Sequence, residues 1–260
     1  MSGPRLLALD FDGVLCDTAR EGLRSSWEVC RELGIVQGNT IPPAVGAAFV
    51  RTRPVLEYGW EFPVLLLALL DGATDDALYQ DFLAWRDRMM EKHHVTREDL
   101  MRRFDSVRDR AIQADLSAWL SDQGLYPGIA ERLRSIPQDE VLVYIITTKE
   151  GRFAHKLLEV NGVHLPPEHV WGKEQARPKP ELLHELAGQH QLDYRDIWFV
   201  EDRLKTLQSV EQDSRLDAVG LFFATWGYNT PPEKAAAAQD RRIVSLTLER
   251  FAAGFSAWTQ

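Results

Sequence analysis

The chain of 260 residues is 45% hydrophobic and carries 30 basic against 39 acidic side chains, a formal net charge of −9. That length sustains one large core or a core domain with an inserted second one, and the acidic balance excludes nucleic acid as a natural partner, because binding by counterion release needs clustered lysine and arginine. Two cysteines, Cys16 and Cys30, make neither a disulfide framework nor a zinc cluster and fit a reduced, cytoplasmic chain.

Residues 6–10 form a short apolar run closed by Asp10 and then, three residues on, by Gly13. No longer apolar region of signal-peptide type precedes it. From about residue 17 to 125 the strand signal disappears. Helical spacing replaces it over 25–33, over 75–90 with Leu78, Phe82 and Trp85, and over 99–120 with Phe104, Val107, Ala111 and Trp119. Pro42, Pro43, Pro54 and Pro63 punctuate the first half and exclude one continuous helix. The longest apolar run, 64–70, is too short to span a bilayer and reads as core, so no membrane partner is expected.

Tyr126-Pro127-Gly128 reads as a turn back into a different pattern. Apolar runs at 141–147, 197–200 and 218–223 suit strands buried on both faces, as in a parallel sheet. Helical patterns at 128–135, 152–160, 180–189 and 203–210 alternate with them. The expected fold is therefore α/β, a Rossmann-like parallel-sheet core made of residues 1–16 and 126–260, interrupted after its first strand by an all-helical domain over 17–125.

Four segments carry chemistry. Asp10 and Asp12 stand two residues apart at the carboxyl end of the first strand, the edge at which open α/β sheets bind ligands. No series of oxygen ligands with a closing glutamate follows, which argues against a calcium loop. Thr147 and Thr148 end the second apolar run. A hydroxyl and backbone amides there can hold a phosphoryl oxygen, helped by the start of the next helix near Gly151, although a helix-capping threonine reads equally well. Lys179 is held between Pro178 and Pro180, where it can neutralise charge between a carboxylate and a phosphate; alone it would pass for a surface lysine. Glu201 and Asp202 directly follow a strand, a place suited to a hard cation.

Taken in order, these segments resemble the motif set of the haloacid dehalogenase superfamily, over residues 1–16 and 126 to about 230. The resemblance implies Asp10 as nucleophile, Asp12 as general acid/base, Thr147 as the phosphate-binding hydroxyl with Thr148 beside it, Lys179 as the third-motif lysine and Asp202 as a magnesium ligand. Asp10 and the Asp12 carbonyl complete its protein ligands. The helical insert occupies the position of the family's C1-type cap. One departure is that Thr206 and Leu207 stand where many members have a further acid, so Glu201 or water would complete the metal shell. An intact Asp12 favours phosphate esters over dehalogenation, since only a leaving oxygen needs a proton donor.

The expected function is a magnesium-dependent phosphatase acting on a small phosphorylated metabolite through an aspartyl-phosphate. A phosphomutase, or a binding protein that has kept the fold, are the alternatives. In the insert, Arg51 and Arg53 are candidates for clamping a substrate anion, against the reading of a solvated turn around Pro54.

Overall fold

The computed structural model describes residues 3–136 and 140–258. Its contacts divide the chain into two units, residues 1–17 with 124–260 and residues 18–123.

The first unit opens with strand β1 (Leu6–Leu9) and the short β2 (Cys16–Asp17). The second unit is helical throughout: α1 (Ala19–Glu32), α2 (Pro43–Thr52), a 3-10 turn over Arg53–Val55, α3 (Glu61–Leu70), α4 (Asp75–Lys92), α5 (Arg97–Ala114) and α6 (Leu116–Ser121). The chain re-enters the first unit through β3 (Gly124–Leu125), which pairs antiparallel with β2. There follow α7 (Ile129–Ser135), β4 (Leu142–Ile146), α8 (Gly151–Val160), β5 (Val170–Trp171), α9 (Lys179–His190), β6 (Ile197–Glu201), α10 (Leu204–Glu211), β7 (Gly220–Ala224), α11 (Pro231–Gln239), β8 (Ile243–Leu246) and α12 (Leu248–Ala253).

Six strands form one sheet in the order β5-β4-β1-β6-β7-β8, with every pairing parallel. All four residues of central β1 are fully buried, as continuous apolar runs require when both faces of a sheet are covered. Leu6 and Ala8 pack with Leu182, Leu186, Phe199 and Leu207 on one face. Alternation along the strand turns Leu7 and Leu9 to the other. Because β4, β1 and β6 are neighbours, the turns that follow them lie side by side at one edge. Asp10, Thr147 and Asp202 all occupy those turns.

In the helical unit, 64–69 on α3 are buried among Phe49, Phe82, Leu100 and Phe104, which is why that helix is apolar nearly all round. Pro63 sits in the first turn of α3, where its missing N–H costs nothing. Among the described residues no helix is long and apolar enough to cross a membrane.

Candidate active site

The chain emerges from β1 at Asp10, and the turn at Gly13 takes φ +90°, a conformation glycine adopts without steric cost. Three buried carboxylates converge here. Asp10, Glu201 and Asp202 each offer an oxygen within 4.8 Å of the others, and Glu201 and Asp202 are only 1% exposed. Lys179, the first residue of α9, donates to Asp10 Oδ1 at 2.6 Å and to Glu201 Oε2 at 2.5 Å. Glu201 is engaged on both oxygens, since Oε1 accepts the backbone N–H of Asp202 (3.0 Å) and of Arg203 (2.9 Å). It thereby fixes both the lysine and the turn after β6.

Burial in an apolar sheet edge disfavours charge, and its consequences are unequal. Burial is the main cause that pushes the Asp10 carboxyl up to about 7. Lys179 opposes the rise, and Glu201 and Asp12 add to it. Asp202 is raised well above the carboxylate range by burial and then by Glu201 and Asp10. Burial pulls the Lys179 ammonium down, but Asp10 and Glu201 outweigh it and the net shift is upward. The cluster thus holds three carboxylates against one hydrogen-bonded lysine. An all-oxygen donor set with surplus negative charge fits a hard divalent cation, with Asp10 and Asp202 the better-placed holders because Glu201 is already committed.

The turn after β4 supplies the second wall. Thr147 is buried, its hydroxyl accepts the N–H of Lys149 at 3.1 Å, and its own N–H donates to the Trp171 carbonyl at 2.9 Å. Thr148 is exposed. The threonine-anchored turn presents Lys149, whose Nζ lies 3.3 Å from Asp12 Oδ1. Lys149 was no candidate from the sequence; its adjacency to Thr147 in Thr147-Thr148-Lys149 was the available signal. The start of α8 does not offer the free amide expected near Gly151, because that N–H donates to both oxygens of Glu174 at 3.2 Å. A local carboxylate has taken the favourable end of the helix.

Arg51 and Arg53 belong to the helical unit. Arg51 makes a two-pronged, solvent-exposed pair with Asp75 (Nε to Oδ2, 2.6 Å). The Arg53 guanidinium lies 4.5 Å from the Phe62 ring centre and donates to the Leu56 carbonyl at 3.3 Å.

Residues 4–212 match the family model of the haloacid dehalogenase-like hydrolases. The N-acetylmuramic acid 6-phosphate phosphatase of Pseudomonas putida is 25% identical over 211 residues, which covers 79% of this chain and 77% of that protein. Among solved structures, a haloacid dehalogenase-like family protein from Streptococcus pneumoniae aligns over 100% of both chains with a TM-score of 0.58 and 17% identity. A protein named as a predicted phosphoglycolate phosphatase from Haemophilus somnus aligns over 94% of both with a TM-score of 0.59 and 17% identity. These two likenesses speak to the fold. With four-fifths of its length matched by the family model, the chain belongs to the haloacid dehalogenase-like hydrolases and is an enzyme of that hydrolytic class.

Proposed function

We propose that this hydrolase is a magnesium-dependent phosphatase that cleaves a small phosphorylated metabolite through a phosphoryl group carried on Asp10. The observation that bears most weight is the buried Asp10–Lys179–Glu201–Asp202 cluster at the carboxyl ends of β1 and β6. Asp10 and Asp202 would hold the cation together with the main-chain carbonyl of Asp12. When bound, the cation offsets the repulsion between an anionic nucleophile and an anionic ester.

Asp10 attacks phosphorus as its Oδ–P bond forms and the ester P–O bond breaks. Asp12, whose Oδ1 lies 3.3 Å from Lys149 Nζ, gives its proton to the departing alkoxide. Water then attacks the phosphorus of the aspartyl-phosphate, Asp12 takes up its proton, and the Asp10 carboxylate leaves. Lys179 binds the transferring group while it keeps Asp10 oriented, and Thr147, in the turn after β4, binds it with Lys179. Glu201 orients Lys179. The helical unit would serve as the cap that selects the substrate, with Arg51 and Arg53 the candidates for an anion contact. Two buried, free cysteines support a reducing, cytoplasmic setting.

The Pseudomonas relative points to a phosphorylated sugar acid as the first substrate class to try. The test is phosphate release from an aryl phosphate and from a panel that includes N-acetylmuramic acid 6-phosphate and phosphoglycolate, with and without Mg2+. Turnover that requires Mg2+ and is abolished by Asp10→Asn is expected. Turnover that survives Asp10→Asn would falsify the nucleophile assignment.

A further inference from the structure

The cluster leaves unexplained how the loop after the nucleophile is held against Asp202, since the two come from different strands. The loop between β7 and α11 supplies the answer. The backbone N–H of Tyr228 donates to Asp202 Oδ2 at 2.5 Å, while its phenol, at the other end of a buried side chain, donates to Asp17 Oδ1 at 2.7 Å. The Trp226 indole N–H reaches the Val14 carbonyl at 3.0 Å. Asn229 Nδ2 donates to the Asp202 carbonyl at 3.2 Å and to the Ala224 carbonyl at 2.8 Å, which ties the loop to the end of β7. Arg203 closes the ring by donating to the Tyr228 carbonyl at 2.6 Å.

Two glycines show how closely these segments interlock. A Cβ at Gly13 would fall 2.0 Å from Asp202 Oδ2 and 2.9 Å from the Tyr228 ring. One at Gly227 would fall 2.4 Å from both the Gly13 carbonyl oxygen and Asp202 Cβ. Three chain segments therefore meet at van der Waals contact where only hydrogen atoms fit, and the contact runs through the carboxylate that would hold the cation.

We infer that the 226–229 loop is a clamp, with Tyr228 as its positioning residue, that sets the Asp202 carboxylate and the 13–17 segment after the nucleophile as one rigid body. This rests on the phosphatase reading for its functional consequence, and on geometry alone for the coupling. A carboxylate whose rotamer is fixed by a backbone amide binds a cation without first losing its own freedom. Partners that orient metal ligands typically matter ~10-fold or more in affinity.

The test is Tyr228→Phe, which keeps the ring and the backbone N–H and removes the phenol's hydrogen bonds, to Asp17 and to Tyr126. Two quantities are measured: Mg2+ affinity by calorimetry, and amide exchange over residues 11–17 and 202–204. The turn bonds Leu15 N–H and Cys16 N–H to the Phe11 carbonyl (2.9 and 3.0 Å) report on the first segment. Faster exchange in both segments together is expected, with Mg2+ bound ~10-fold more weakly, in a protein whose circular dichroism is unchanged. Faster exchange confined to 11–17, with Mg2+ affinity within twofold of wild type, overturns the clamp, and so does unchanged exchange. If the wild-type protein binds no Mg2+ while the variant loosens both segments, the clamp stands and the phosphatase reading fails. Trp226→Phe, which removes a second strap without touching Tyr228, must shift exchange at the same two segments.

Discussion

At the scale of single residues, two buried cations are treated in opposite ways. Lys179 is hydrogen-bonded to two carboxylates, whereas Arg132 on α7 is buried with Nε and one terminal nitrogen lacking any hydrogen-bond partner among the described residues. Its remaining contacts are a bond to Ser135 Oγ at 3.1 Å and the face of Phe255 at 4.3 Å. Burial pulls its basicity down. Removing one member of a buried pair strands the others, so Lys179→Met is expected to cost ~3–5 kcal/mol as well as activity. Arg132→Met relieves unpaired donors worth about 1–3 kcal/mol against a cation–π contact of about 0.5–2 kcal/mol. With the Ser135 bond also lost, the two effects nearly cancel and the Arg132 variant should lie within ~1 kcal/mol of wild type. Urea midpoints at constant slope compare the two. A loss of more than ~1 kcal/mol in Arg132→Met would mean that the guanidinium is satisfied after all.

At the scale of elements, the runs of apolar residues were enough to locate the long strands, and the reason is physical. β1, β4, β6 and β7 are covered on both faces, so burial alone dictates their composition. Two-residue β5 carries too little pattern to register, and β8 is buried at its two ends and partly exposed between them, in a tail that offered no motif. The helical stretch over 99–120 is in fact two helices. Asp115 leaves the helical region (φ −158°, ψ 94°) and caps α6 by accepting the Ala118 N–H at 2.9 Å. Asp81 interrupts α4 in the same manner, accepting from Ala84 at 2.9 Å. Across Asp81 the apolar pattern continues because Phe82 and Met89 join the same core as Leu78, whereas Trp119 and Leu120 of α6 are buried outside that cluster. Side-chain competition for backbone amides, not hydrophobic spacing, decided these boundaries. The alanine run at 235–238 lies in α11, whose start is fixed by a reciprocal capping box. Thr230 Oγ accepts the Glu233 N–H at 3.3 Å, and the Glu233 carboxylate accepts the Thr230 N–H at 2.8 Å. Thr230→Ala should therefore cost ~1 kcal/mol, roughly 2–4 °C in melting temperature for a chain of this size. A scanning calorimetry trace with no shift would place the cap energy elsewhere.

At the scale of the whole molecule, the proposed magnesium site would link pH, cation binding and stability. That Asp10, Lys179 and Asp202 belong to one cluster was legible in the sequence because the acidic turn after the first strand, the proline-flanked lysine and the acids after a later strand keep their order along the chain. The particular bonds that Lys149 and Tyr228 make were not, since they depend on which turns the sheet order brings together. The pooled charge has a measurable consequence. The folded state raises the Asp10 carboxyl from 3.8 to about 7, so between those values the folded protein binds a proton that the unfolded chain releases. Without metal, this group therefore contributes stability that is full below the unfolded value and declines as pH rises toward about 7. A bound cation reverses the preference by favouring the deprotonated form, and must displace that proton to bind. The Mg2+-induced rise in melting temperature should accordingly be small at pH 5.5 and larger at pH 8. At a cation concentration ~100-fold above its dissociation constant the stabilisation is ~2.7 kcal/mol. Asp10→Asn has no proton to displace at that position and should lessen the pH dependence of the shift, leaving the part due to Asp202, while lowering its size. A Mg2+ shift in the wild-type protein that is equal at both pH values would show that the ion binds away from Asp10.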